Sequence, residues 1–189
     1  KVRKIASNLN LRTHDKKDST GICFIGERKF KDFLEQYLPA KPGPIQNSNG
    51  ETLGTHAGLM FYTYGQRQGL GIGGVKNKAD APWYVVNKNL AQNSLIVAQG
   101  NENEDLYSTK LLASMPSWIN KNVPLLPLSC TAKIRYRQSD QHCQVNLFSE
   151  TQVEVIFDQP QRAVTPGQYI VFYHQDRCLG GAIIELFFR

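Results

Sequence analysis

The chain has 189 residues, of which 41% are apolar, and its formal net charge is +6. This length allows one ordinary domain or two small ones, and no segment approaches the roughly 20 apolar residues of a membrane span. The positive charge favours an anionic partner, nucleic acid above all, but charge alone is equally compatible with a basic protein that binds no polyanion.

The N-terminal residues 1–11 predict a short helix, because their apolar side chains recur at helical spacing. This helix has no capping residue before it and the first residue is Lys1 rather than Met, so we expect the chain to be a piece of a longer protein. An amphipathic helix is predicted over residues 27–38, and Pro39 ends it.

After Pro39 the sequence changes to a pattern of short strands and turns, which predicts a small β-rich unit. The dipeptide Asn49-Gly50 is a hairpin signal. Strands are predicted over 83–86 and 95–98, and a strand or the end of one over 58–64. Residues 65–74 form a glycine-rich loop with GxGxxG spacing, but no convincing helix follows it, so we reject a dinucleotide-binding site.

From about Leu106 the strands become longer, and their spacing predicts an antiparallel barrel or sandwich. The predicted strands cover residues 130–137, 142–147, 152–157, 169–174 and 182–188. In the first of them, alternation places Tyr136 on the face of the core residue Ile134 and places Lys133, Arg135 and Arg137 on the opposite face. Arginines can grip phosphate and tyrosine can stack on a base, so this strand is a candidate RNA-binding element. An ordinary solvated strand face explains the pattern equally well.

The cysteines and histidines predict no metal site. None of the histidines has a second ligand at metal-binding spacing, and the cysteines lack CxxC spacing. So few cysteines in a chain of this size fit a reducing cytoplasm better than a disulfide scaffold. We expect Cys130, Cys143 and Cys178 to lie on barrel strands.

Cys23 is the cysteine with the most informative surroundings. It lies in a turn-prone segment, and cationic residues such as Lys17 and Arg28 flank it on both sides. Nearby positive charge stabilises a thiolate, which is the reactive form. The alternative is a buried structural cysteine, because free cysteines flanked by apolar residues usually behave as small hydrophobic side chains.

A series of segments resembles the bacterial tRNA-specific 2-thiouridylases, which replace oxygen by sulfur at the wobble uridine of the anticodon. They run over nearly the whole chain in this order: 18–28, 54–60, 65–74, 81–86, 132–138, 160–168 and 178–181. The chain is identified as the central and C-terminal portions of such an enzyme.

This resemblance implies a mainly β fold (α+β overall) with short N-terminal helices. Residues 1–31 would be the end of an N-terminal domain and a linker with the cysteine loop, and residues 32–100 a central β-rich domain. Residues 105–189 would form an antiparallel β-barrel similar to those of elongation factors.

The resemblance also implies the chemistry. An ATP-pyrophosphatase domain, which this chain lacks, would use ATP with Mg to adenylate the uridine C2 oxygen. Cys23 would accept sulfur as a persulfide from a carrier protein and deliver it to C2. Arg135, Tyr136 and Gln168 match positions that contact tRNA, expected to be of the Lys, Glu or Gln type. The chain alone should bind no cofactor and complete no turnover.

The competing hypothesis is a non-catalytic RNA-binding β-barrel module in which Cys23 is inert. Uptake of labelled persulfide sulfur by Cys23 would separate the two hypotheses. A nucleotide-dependent oxidoreductase is a third and weaker possibility, since it rests on the rejected glycine pattern alone.

Overall fold

The structure is a computed structural model that describes residues 2–16, 36–72, 81–120 and 123–189. The chain divides into two compact units, Lys1–Ala40 and Lys41–Arg189. In the first unit a helix, α1, spans Val2–Asn8, which confirms the helix predicted near the N-terminus. The helix predicted over 27–38 lies largely outside the described residues, and residues 36–38 are in a turn. The predicted domain boundaries stay predictions.

The second unit begins with a four-stranded sheet in the order β2-β1-β4-β3. Its strands are β1 (Gly43–Asn47), β2 (Thr52–His56), β3 (Trp83–Asn89) and β4 (Ser94–Gln99). The β1–β2 hairpin confirms the signal at Asn49-Gly50, and Gly50 takes the positive φ of 81° that the tight turn requires. Strands β1 and β4 pair in parallel, and the other two pairs are antiparallel.

The strand predicted over 58–64 is wrong. A 3-10 helix spans Leu59–Phe61 instead, and the N–H of Phe61 donates to the Gly58 carbonyl at 3.2 Å. The apolar side chains of this turn pack on the buried core of the sheet, around Ile45 and Leu95. A short apolar run has no periodicity that separates a strand from a buried helical turn, which explains the error.

Six further strands form a closed barrel in the order β10-β5-β8-β7-β6-β9. They are β5 (Tyr107–Trp118), β6 (Leu128–Lys133), β7 (Gln141–Ser149), β8 (Gln152–Arg162), β9 (Tyr169–His174) and β10 (Arg177–Phe188). All neighbouring strands pair antiparallel, so the mainly β fold with a C-terminal antiparallel barrel is confirmed. A 3-10 helix, Glu104–Leu106, precedes the barrel.

Alternating apolar side chains fill the barrel interior. Phe172 is fully buried and stacks on Trp118 with ring centroids 5.5 Å apart. The three cysteines of this part of the chain lie on barrel strands, as predicted. Cys130 and Cys143 stand opposite each other on β6 and β7, with their sulfur atoms 3.8 Å apart.

The two ends of the barrel have different neighbours. We call β1–β4 together with the chain up to Leu106 the central unit. The end of the barrel that carries the β6–β7 turn (134–140) and the β8–β9 turn (163–168) is called the sheet-facing rim, because backbone and side-chain hydrogen bonds join it to the central unit. The Ala163 N–H donates to the Leu106 carbonyl, and Arg189 Nη2 donates to the Val86 carbonyl at 3.0 Å. The opposite end, with the β7–β8 and β9–β10 turns and the β5–β6 connection, is called the far rim.

Among the described residues, no helix has the length and apolar character needed to cross a membrane.

Candidate nucleic-acid interface

Strand β6 ends at Lys133, four residues earlier than predicted. The Ile134 N–H donates to Oε1 of Gln138 at 3.0 Å, and the Gln138 N–H donates to the Arg135 carbonyl at 3.1 Å. The glutamine thus supplies hydrogen bonds that a strand partner would otherwise supply, so the chain turns. Arg135 and Arg137 therefore lie on a turn, and the predicted basic strand face is wrong beyond Lys133.

The turn changes the position predicted for Tyr136. Strand alternation placed this ring on the core face, but its exposed fraction is 95%. The ring is therefore available for stacking on the same side of the barrel as the neighbouring arginines. An exposed tyrosine on a basic turn is a geometry that suits unpaired bases.

The side chain of Arg135 reaches across the rim. Its Nη2 donates to the Ala163 carbonyl at 3.2 Å, which attaches the β6–β7 turn to the β8–β9 turn. Burial lowers the pKa of the Arg135 guanidinium, and the nearby charge of Arg162 lowers that pKa further. An arginine with an ordinary pKa above 12 stays protonated at neutral pH despite such shifts.

Gln168 lies in the β8–β9 turn, immediately before β9. Its N–H donates to the Thr165 carbonyl at 3.2 Å, and its carbonyl accepts from the Ile184 N–H at 2.8 Å. The side chain is exposed. The backbone of Gln168 is thus held in place while its amide group points into solvent, where it can donate and accept.

The strand register brings Arg135 and Gln168 to one rim despite their separation in sequence. Lys133, the last residue of β6, pairs with Val171 of β9. The turn after β6 and the turn before β9 must therefore lie at the same end of the barrel. That these side chains form one RNA-contacting patch stays a prediction.

The buried Gln161 and two partly buried glutamines support the rim. Gln161 has an exposed fraction of 3% and accepts from Nε2 of Gln138 at 2.6 Å. Its own Nε2 donates to Oε1 of Gln141 at 3.0 Å. These amide–amide hydrogen bonds hold the turn that carries Arg135, and the groups that form them are neutral.

Two residues of this rim were not predicted as site residues. Arg162 ends β8, and its guanidinium carbon lies 5.0 Å from the centroid of the Tyr84 ring. Gly65 has a positive φ of 75°, and a Cβ at this position would lie 2.6 Å from the Cβ of Ala163. The glycine-rich composition of residues 65–74, described to residue 72, was a signal for a close approach. No feature of the sequence around Arg162 predicted that it would belong to the site.

Cys23 lies outside the described residues, so its role as a persulfide carrier stays a prediction. Within the described ranges, no group of three or more His, Cys, Asp or Glu side chains could hold a metal ion. His56 is buried, and its Nε2 lies 3.0 Å from the Asn93 carbonyl oxygen, whereas the other three histidines are exposed.

Models of three protein domains match consecutive parts of the chain. The tRNA methyl transferase HUP domain matches residues 1–27, and the tRNA methyl transferase PRC-barrel domain matches residues 31–99. The aminomethyltransferase β-barrel domain matches residues 108–184, which lie within the observed barrel.

Curated relatives match the chain from end to end. A protein of Marinomonas sp. (strain MWYL1) named tRNA-specific 2-thiouridylase MnmA is 57% identical over 188 residues, which are 100% of this chain and 48% of that protein. Proteins of the same name from Legionella pneumophila (strain Lens) and Hahella chejuensis (strain KCTC 2396) are 55% and 59% identical over 100% of this chain, and 52% and 51% of their own lengths are covered. The chain thus spans about half the length of the curated relatives it matches.

Proposed function

Because this chain belongs to the family of tRNA-specific 2-thiouridylases, we propose that it is the sulfur-carrying and tRNA-binding part of an enzyme that thiolates the wobble uridine of tRNA at C2. Identity of 55–59% over essentially the whole chain to relatives of that name is the observation that carries this proposal.

Cys23 carries the sulfur. A sulfur-carrier protein converts its thiol to a persulfide, which is more acidic and more nucleophilic than the thiol. The uridine C2 oxygen is first activated with ATP in the presence of Mg by the nucleotide-binding part of the enzyme, outside these 189 residues. The terminal persulfide sulfur attacks C2, the new C–S bond forms, and AMP leaves with the former C2 oxygen. A second cysteine, also outside this chain, attacks the Cys23 sulfur, releases 2-thiouridine and forms a disulfide.

The sheet-facing rim supplies the tRNA contacts. Arg135 is held by the Ala163 carbonyl, Tyr136 is exposed beside it, and Gln168 lies on the neighbouring turn. Such a surface can bind the phosphate backbone and stack on an unpaired base. The partners are tRNAs of the Lys, Glu and Gln type and the sulfur-carrier protein, and the reaction takes place in the cytoplasm.

Replacing Cys23 in the full-length enzyme tests the catalytic half of this proposal. Cys23→Ser should abolish 2-thiouridine formation while tRNA binding stays near wild type, because a hydroxyl cannot hold a transferable sulfur. The matched control is Cys178→Ser, which removes a half-buried barrel thiol and should leave thiolation unchanged. Normal 2-thiouridine content in tRNA from cells with Cys23→Ser as their sole copy would contradict the proposal and favour a non-catalytic RNA-binding module.

A further inference from the structure

Two arginine side chains meet beside Gly65 at the sheet-facing rim. A Cβ on this glycine would lie 3.6 Å from Nη1 of Arg162 and 3.9 Å from Nη2 of Arg135. Both guanidinium groups therefore border one point on the Gly65 backbone. The Gly65 N–H itself already donates to the Val85 carbonyl at 2.7 Å, so the glycine contributes space there and no free donor.

The groups that hold these two arginines are neutral. Arg135 donates to the Ala163 carbonyl at 3.2 Å. Arg162 donates through Nη2 to Oδ1 of Asn101, also at 3.2 Å, and lies over the ring of Tyr84. These contacts fix the positions of both guanidiniums and leave their positive charges uncompensated.

No carboxylate of the described residues lies within ion-pair distance of either arginine. The described ion pairs join Lys110 to Glu154, Lys133 to Asp140 and Arg189 to Asp105. Glu102 is hydrogen-bonded to Tyr107 instead: the Tyr107 hydroxyl donates to Oε2 of Glu102 at 3.1 Å.

Two like charges held together without an acidic partner favour an anion between them. The lowered pKa of Arg135, caused first by burial and then by the charge of Arg162, reports the same repulsion. In addition, Nε of Arg162 is buried with no hydrogen-bond partner among the described residues, so the fold accepts a cost to keep this side chain in place. Guanidinium groups match the geometry of phosphate oxygens better than any other side chain.

We propose that Arg135 and Arg162 together bind one phosphodiester group of RNA beside Gly65, so that Arg162 is a second phosphate ligand of the rim. The inference rests on the proposed function, because tRNA supplies the phosphodiester. The inference adds Arg162, the last residue of β8, to the RNA-binding residues. The position of Arg162 depends on the contact between the barrel and the central unit.

The test is the salt dependence of binding of a tRNA transcript to the full chain. Arg162→Gln and Arg135→Ala should each weaken binding about tenfold, because each removes a charge-assisted hydrogen bond. Each should also reduce the slope of log K against log salt by about one. Arg177→Gln, which removes an exposed arginine at the far rim, should change neither quantity.

The double variant decides whether the two arginines share a phosphate. If one phosphate is held only while both arginines are present, Arg135→Ala with Arg162→Gln should lower the slope by about one, as each single variant does. A loss of about two would overturn the shared site. Asn101→Ala removes the Nη2 contact of Arg162 but keeps its charge, and it should leave the slope unchanged. Wild-type binding and slope for folded Arg162→Gln would also overturn the inference.

The wild-type chain provides a second readout that needs no substitution. In titrations with inorganic phosphate, the guanidinium NMR signals of Arg135 and Arg162 should shift together with one saturation curve, and a signal that stays fixed would contradict the shared site.

Phosphate-dependent shifts with no effect of either arginine on tRNA binding would indicate a site for free phosphate and overturn the proposal. If Arg135→Ala weakens tRNA binding and Arg162→Gln does not, this inference alone fails. If neither variant affects binding, the tRNA-binding role of the rim fails as well.

Discussion

The sheet-facing rim and the far rim close the same barrel but expose different side chains. The sheet-facing rim presents Arg135, Tyr136 and Gln168 on turns that are hydrogen-bonded to each other and to the central unit. The far rim exposes apolar side chains, including Leu125 at 92% and Phe148 at 60%. The same strands, with side chains that alternate between the interior and the exterior of the barrel, lead to both rims. The difference between the rims therefore lies in the turns that connect the strands.

Positively charged side chains are held in fixed positions at the rim that contacts the central unit. Contacts to the central unit, such as that of Arg162 with Asn101 after β4, position cationic groups before any ligand arrives. Prepositioned groups lose less conformational entropy on binding. At the far rim a cavity of about 700 Å³ opens between Trp118 and Arg177, and Arg177 is the one charged side chain among the described residues that line it.

Truncation of the shared core should have the largest effect and should affect both rims. Phe172→Ala removes a fully buried ring that stacks on Trp118, and we expect a loss of about 3–5 kcal/mol in the free energy of unfolding. Denaturant unfolding measures this loss. A loss below 1 kcal/mol would mean that the rims do not depend on a common packed interior.

The junction of the sheet-facing rim with the central unit should be sensitive to one methyl group. Gly65→Ala places a Cβ 2.6 Å from Ala163 at a positive φ, and we expect a destabilisation of about 2–4 kcal/mol. Gly71→Ala is the matched control, because Gly71 also has a positive φ but, apart from its chain neighbours, no atom of the described residues lies within 4 Å of its Cβ position. It should cost about 1–2 kcal/mol. Equal losses in the free energy of unfolding for the two variants would show that the close contact between Gly65 and Ala163 adds nothing to the cost of the substitution.

Exposed aromatic rings at the two rims should differ in RNA binding. Tyr136→Ala should weaken tRNA binding by about 1–3 kcal/mol if the ring stacks on a base, with stability near wild type because the ring is exposed. Phe148→Ala removes an exposed ring at the far rim and should leave binding unchanged. Fluorescence titrations of both variants with the same transcript measure the difference, and equal effects would remove the functional distinction between the rims.

The smallest effect is expected for the ion pair at the sheet-facing rim. Lys133 Nζ lies 3.1 Å from Oδ1 of Asp140, and the exposed fractions of the two side chains are 29% and 50%, so solvent screens the pair. Asp140→Asn should therefore cost less than about 1 kcal/mol in stability. A larger loss in thermal unfolding would mean that this ion pair, and not the glutamine network around Gln161, holds the turn.

The sequence allowed most of the barrel strands to be predicted because alternation and turn residues are local signals, but no strand was predicted over β5 (Tyr107–Trp118). The hairpin at Asn49-Gly50 and the strand at 169–174 follow from such signals. The end of β6 could not be predicted in this way, because the alternation of the sequence continues through Tyr136. The strand nevertheless ends at Lys133, because the Ile134 N–H donates to the Gln138 side chain instead of to a neighbouring strand. A capping side chain of this kind leaves no mark in hydrophobic periodicity.

The candidate site was predictable only in part for the same reason. The family resemblance gave Arg135, Tyr136 and Gln168, and the strand register explains how distant residues reach one rim. Arg162 depends on contacts with Asn101 and Tyr84 that join the barrel to the central unit. Such long-range contacts follow from the packing of two substructures and cannot be read from neighbouring residues.

Hydrogen–deuterium exchange of the chain with and without tRNA compares both rims in one measurement. Because tRNA is expected to bind at the sheet-facing rim, we expect slower exchange at residues 134–138 and 163–168 when tRNA is bound, and unchanged exchange at residues 123–127 and 148–151. Protection confined to the far rim, or no protection at either rim at saturating tRNA, would contradict this expectation.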